Sequence, residues 1–147
     1  MKRGIEFELS GGACSLLTAM LRLPALHNMT AICTEYEAVT NQGNLALPTM
    51  VSAETLADEL ERQRPQVIFL NLKLLPPGEQ GGEILDYEDF LRSPYALVCL
   101  ITDLRCVEVY GKDEALLAEL AELARKLGAL NIGEKDEEDG RRVFSVV

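Results

Sequence analysis

Two nearly continuous aliphatic runs, VIFLNLKLL over 67–75 and YALVCLIT over 95–102, set the strongest limit on how this chain can fold. A strand covered on both faces reads as an unbroken apolar run, whereas a strand with one wet face alternates. Each run therefore predicts a central strand with other layers packed on both sides. Asn71 and Lys73 are the polar exceptions in the first run.

The remaining segments supply the layers. Ile5, Phe7 and Leu9 alternate with Glu6 and Glu8, the period of a half-buried strand over Gly4 to Leu9. Ser10, Gly11 and Gly12 break that strand, and Leu16, Leu17, Met20 and Leu21 recur at helical spacing until Pro24. Thr30 to Thr40 reads as a strand, Asn41 to Asn44 as a turn, and Leu45 to Leu47 as a short returning edge strand before Pro48. Ser52 then caps a helix that buries Leu56, Ala57 and Leu60 and stops before Pro65.

After the first aliphatic run, Pro76, Pro77 and Gly78 open a loop through Gly82, followed by a short helix capped by Asp86 with Phe90 and Leu91 facing inward. Asp103 to Arg105 ties the second aliphatic run to a paired strand, Cys106 to Tyr110. Asp113 caps the longest helix, Glu114 to Leu127, and Gly128 suits its left-handed end. Leu130 to Ile132, an acidic turn from Glu134 to Gly140 and a final strand holding Val143 and Val147 complete the pattern, with the terminus docked into the sheet.

Hairpins and helical crossovers together predict an α+β fold: a mixed, mostly antiparallel sheet of about six to seven strands with about four helices packed on it. The order β-α-β-β-α recurs, from Gly4 to Arg64 and from Val67 to Leu127, which is compatible with a duplication. At 147 residues, without a linker or low-complexity segment, residues 1–147 form one predicted domain.

Charge narrows the partners. Fourteen Lys and Arg against 24 Asp and Glu leave a net charge of −10, which argues against general nucleic-acid binding, where Lys and Arg neutralise phosphates, and against an anionic membrane surface. No secretory signal or spanning apolar stretch is visible, so the expected address is the cytoplasm. Cys14, Cys33, Cys99 and Cys106 include no CxxC pair and are expected to be buried free thiols.

Preassembled chemistry is sparse. His27 is the single imidazole and reads as a loop residue; no GxSxG turn is present. Cys14 falls in a first helical turn, where a thiol pKa can fall, but no basic neighbour is visible in sequence and it reads as a packed small residue facing the first strand. Ser10-Gly11-Gly12 lacks the Lys and further Gly of a phosphate loop and reads as a strand-to-helix turn. Asp86, Glu88, Asp89, Asp103 and Glu108 are oxygen donors for Mg²⁺ or Ca²⁺ if their segments converge; helix-start and turn roles account for them as well. The acidic run Asp136 to Asp139 reads as a solvated turn. No metal site, cofactor motif or catalytic set is predicted.

Four segments taken together, MKRGIEFE, YEDFLRS, VEVYGKD and DGRRVFSVV, resemble a domain-of-unknown-function family of small Firmicutes proteins. That resemblance implies a full-length single domain in a bacterial cytoplasm and carries no activity or catalytic residues. Two functions are left. The first is a protein-interaction module, of inhibitor or immunity type, that meets a basic protein through its acidic surface and an exposed sheet edge; an open edge also leaves room for a homodimer. The alternative is a small-molecule-binding or enzymatic domain with a pocket between the sheet and the Gly-rich loop, drawing on Tyr36, Asn71, Tyr87, Asp103 and Tyr110.

Overall fold

The computed structural model describes residues 2–136 and 143–146. Eight strands, β1 (Lys2–Glu8), β2 (Thr30–Thr40), β3 (Gly43–Asn44), β4 (Met50–Ser52), β5 (Gln66–Leu75), β6 (Leu97–Thr102), β7 (Cys106–Gly111) and β8 (Leu130–Asp136), join one sheet. The helices are α1 (Cys14–Leu21), α2 (Ala53–Gln63), α3 (Tyr87–Arg92) and α4 (Glu114–Lys126). Strand order is β3-β2-β5-β6-β7-β1-β8, with β4 also paired to β2, and every pairing among the described strands is antiparallel. The class is α+β, as expected. The predicted mixed character resolves into crossovers that skip a strand: α2 links β4 to β5 across β2, and α4 links β7 to β8 across β1.

Both aliphatic runs are interior strands. On one face, β5 and β6 turn Leu70, Leu72, Leu74, Leu97, Cys99 and Ile101 toward α1, α2 and α4, whose buried stripes include Leu17, Leu56, Leu60 and Leu117. The helix signals act as read: Ser52 accepts a hydrogen bond from the Thr55 N–H, Asp86 from the Asp89 N–H, and Asp113 from the Ala115 and Leu116 N–H groups. On the opposite face, α3 and residues 143–146 pack Tyr87, Phe90 and Phe144 against Val98, Leu100 and Tyr110.

Four sequence expectations need correction, the first being Leu91, expected to face inward beside Phe90 but half exposed because Tyr87 and Phe90 are the α3 residues turned to the sheet. Leu45 to Leu47 is not a strand; the return is split into β3 and β4, because the Tyr36 hydroxyl takes the Leu47 N–H at 2.9 Å that a ladder would need. The edge beside β1 is filled by Leu130–Asp136 rather than by the end of the chain, so the supposed acidic turn begins as strand. Val143 makes a lone bridge to Asp86, and Phe144 and Val146 lie buried on the second face instead of forming a final strand. Most of the run 136–139, and Val147, lie outside the described residues.

Candidate functional site

The second face of the sheet is ruled by rows of facing side chains. Ile32, Lys73, Val98 and Tyr110 stand opposite one another on β2, β5, β6 and β7; Glu35, Asn71, Leu100 and Glu108 form a neighbouring row. Over β6 and β7 these rows are sealed by aromatic packing. Tyr110 and Phe144 have ring centroids 5.3 Å apart, Tyr87 and Tyr110 5.8 Å. The buried Arg3 guanidinium sits 3.6 Å from the Tyr87 ring centroid, a cation–π arrangement.

Over β2 and β5 the same face is open. A cleft of about 490 Å³ lies there beneath the loop 76–86, within the size range of small-molecule sites. Its floor is Asn71 and Lys73, its walls include Ile32, Ile84 and Tyr95, and Gly81 and Gly82 form part of its roof. Tyr95 holds that roof by donating its hydroxyl to the Gly82 carbonyl at 2.8 Å. Met50 and Leu85, both well exposed, add apolar surface to the cleft.

Asn71 and Lys73 share a face because residues two apart on a strand point the same way. The Lys73 Nζ donates to Asn71 Oδ1 at 2.8 Å and to Thr34 Oγ1 at 3.3 Å. That donor fixes the Asn71 amide orientation, so its Nδ2 faces the Phe144 carbonyl at 3.4 Å and Glu35 Oε1 at 3.5 Å. Lys73 is only 5% exposed, and among the described residues no carboxylate lies within ion-pairing distance of its Nζ. Two of the three ammonium N–H groups thus have neutral acceptors, and the third has none among the described residues. Burial pushes the Lys73 ammonium below the ordinary lysine range; Glu35, Cys33 and Glu83 act in the opposite sense without cancelling it.

A larger groove, about 540 Å³, runs between α1 and α2 and is lined by Gly12, Cys14, Thr18, Arg22, Glu61 and Arg64. Its chemistry is already spent. Arg22 is held by Asp58 and Glu61 at 2.8 and 2.7 Å, and the buried polar side chains among the described residues are Arg3, Asn71 and Lys73, none of them there. Cys14 donates its thiol to the Leu60 carbonyl at 3.2 Å, and burial raises its pKa, so it is not an activated thiolate. All four cysteines are free; Cys33 and Cys99 are buried, with thiols pushed up to about 12, while Cys14 and Cys106 are half-buried rather than buried as expected.

Of the five residues singled out from sequence, Asn71 lines this cleft. Tyr87 and Tyr110 come together, but in the sealed aromatic half with Arg3. Tyr36 lies against the helix-covered core, its hydroxyl bonded to the Leu47 backbone. Asp103 occupies the exposed β6–β7 turn with a left-handed φ of 50°. Lys73, Thr34 and Glu35 were missed as site residues; the signal available was a charged residue in an aliphatic run, two positions from Asn71. Asp86 and Asp89 are absorbed by capping and by the Leu85 N–H and Arg92. His27 is an exposed turn residue. No group of three metal-capable side chains occurs among the described residues, and no described helix is long and apolar enough to cross a membrane.

Comparison with known proteins gives a family of unknown function. The chain is similar to the "Uncharacterized protein YncE" of Bacillus subtilis (strain 168), 24% identical over 126 residues that cover 82% of each chain. No solved structure matches significantly. Residues 2–145 match the family described as "Protein of unknown function (DUF2691)", and with nearly its whole length matched the chain belongs to that family.

Proposed function

We propose that this protein binds a small molecule in the cleft between the sheet and the Gly-rich loop, with Lys73 and Asn71 as the polar anchor. One observation carries the reading: the cleft floor holds two of the three buried polar side chains described, and one of them is a cation without a paired carboxylate. A buried lysine costs stability unless its N–H groups find acceptors, and one of the three on Lys73 has none among the described residues. The apolar walls and the nearby Glu35 and Glu83 favour an uncharged occupant with a carbonyl or similar acceptor over an anion. The free thiols of Cys14, Cys33, Cys99 and Cys106 suit a cytoplasmic setting.

The test is a thermal-shift series with short- and medium-chain aldehydes, ketones, amides, alcohols and carboxylates, on the wild-type chain and on Thr34→Trp. Thr34 is exposed and its side chain reaches the cleft floor, with Oγ1 3.3 Å from Lys73 Nζ, so an indole at that position occupies the cleft. A ligand at a hundredfold its Kd adds about 2.7 kcal/mol, a rise of roughly 5–10 °C in Tm for a chain this size. At least one neutral acceptor class is expected to raise the wild-type Tm and to lose its effect in Thr34→Trp. Flat shifts throughout, or equal shifts in the variant, would remove the cleft as the site.

A second reading, an interaction module for a basic protein, draws on the exposed edge strand β8 and the neighbouring exposed Glu6 and Glu8. It requires salt-sensitive association with one basic partner, lost in Glu8→Lys; salt-insensitive capture, or none, counts against it.

A further inference from the structure

We infer that Lys73 is a nucleophile that forms an imine with a small aldehyde or ketone bound in the cleft. This rests on the cleft being a ligand site and adds the chemistry done there. The Lys73 amine is sequestered on the floor of a cavity whose walls are Ile32, Ile84 and Tyr95. Its acceptors are a neutral amide and a hydroxyl, Asn71 Oδ1 and Thr34 Oγ1, rather than a carboxylate that would lock it as an ammonium. Burial favours the neutral amine, the form that attacks carbonyl carbon.

The step balances without any redox partner. The ammonium first gives a proton to water at the cleft mouth. The nitrogen lone pair then attacks the carbonyl carbon, forming a C–N bond while the C=O π pair moves to oxygen, which takes a proton. The carbinolamine nitrogen loses a proton, the hydroxyl takes one and leaves as water, and the C=N bond closes. One amine and one carbonyl compound yield one imine and one water. The protonated imine carries the same single positive charge as the ammonium it replaces, so Glu35 and Glu83, which already favour a cation at this nitrogen, favour the product equally. The Gly81–Gly82 roof, held by Tyr95, bounds the space in which the carbonyl compound sits.

The full chain incubated with butanal and sodium cyanoborohydride, which delivers hydride to the imine carbon, tests this by peptide mapping. Lys73 is expected to carry the butyl group ahead of the exposed Lys126, to reach its full rate at a lower pH than Lys126, and to be protected when Thr34→Trp fills the cleft. The α-amino group maps to a separate peptide and serves as an internal standard. Lys73→Met, similar in length and lacking the amine, is expected to lose only that adduct, and the wild-type map decides the matter even if the variant does not fold. Butanol and butanamide, which cannot form an imine, separate the two levels. A cleft-dependent thermal shift with them but no Lys73 adduct from butanal overturns the imine and leaves the binding site standing. Neither shift nor adduct overturns both.

Discussion

Phe90→Ala is expected to lower the unfolding free energy by about 3–5 kcal/mol, the range for removing a fully buried aromatic ring. Phe90 has no exposed surface and lies with Tyr87 and Phe144 at centroid distances of 6.0 and 6.3 Å. Its helix, α3, has only six residues, too few to be stable without tertiary packing. Tyr87 and Phe90 are its buried residues, so removal of the ring leaves Tyr87 as its one buried side chain. Because α3 follows directly on the loop that roofs the cleft, the variant should also lose the ligand-induced rise in Tm. Chemical denaturation gives the first quantity and the thermal-shift series the second. A loss below about 1 kcal/mol, typical of a well-relaxed surface change, would mean that the second face is not packed as described.

The other large effect is expected at Gly4. A Cβ there would lie 2.3 Å from the Val109 carbonyl oxygen and 3.0 Å from Tyr110 Cδ1. The first of these is backbone, in the strand that pairs with β1 through Gly4↔Tyr110 and Ile5↔Val109, so it cannot withdraw without opening the ladder. Gly4→Val should therefore cost about 3 kcal/mol or more, at or beyond the usual range for overpacking. Gly12→Ala is the control, since nothing lies within 4 Å of its added carbon, and it should stay within roughly 0.5 kcal/mol of wild type. Equal denaturation midpoints for the two variants would contradict the close approach of β1 and β7.

How far the sequence could be read depended on whether the signal was local. β5 and β6 were legible because a strand buried on both faces must be apolar at every position, and the helix starts because Ser52, Asp86 and Asp113 satisfy backbone N–H groups within their own first turns. What escaped was set by distant partners. Leu45 to Leu47 has strand-like side chains, but its backbone is claimed by Tyr36. Residues 143–146 have the pattern of a strand, but the edge was already occupied by β8 and the aromatic cluster offered Phe144 a place on the second face.

The site was legible in part. Asn71 and Lys73 were visible as interruptions in an aliphatic run, yet only Asn71 was chosen, because nothing local shows that a lysine in a central strand meets Thr34 and Asn71 rather than solvent. Of the tyrosines, Tyr87 and Tyr110 are consumed by packing with Arg3, a partner that is distant in sequence. The Gly-rich loop borders the cleft through Gly81 and Gly82; which face it covers follows from the strand order.

A buried lysine also fixes a sign for stability against pH. Its folded-state pKa lies below its unfolded one, so between those two values the unfolded chain holds more protons and stability rises with pH. Below that window the burial penalty of the charged group is fully present, and above it the penalty is gone. Lys73→Met should flatten that rise. The underlying property can be read directly by an NMR titration of the Lys73 side chain in the folded protein. A transition below the ordinary lysine range is expected, and a transition within that range, as for a freely hydrated lysine, would contradict a sequestered amine on the floor of the cleft.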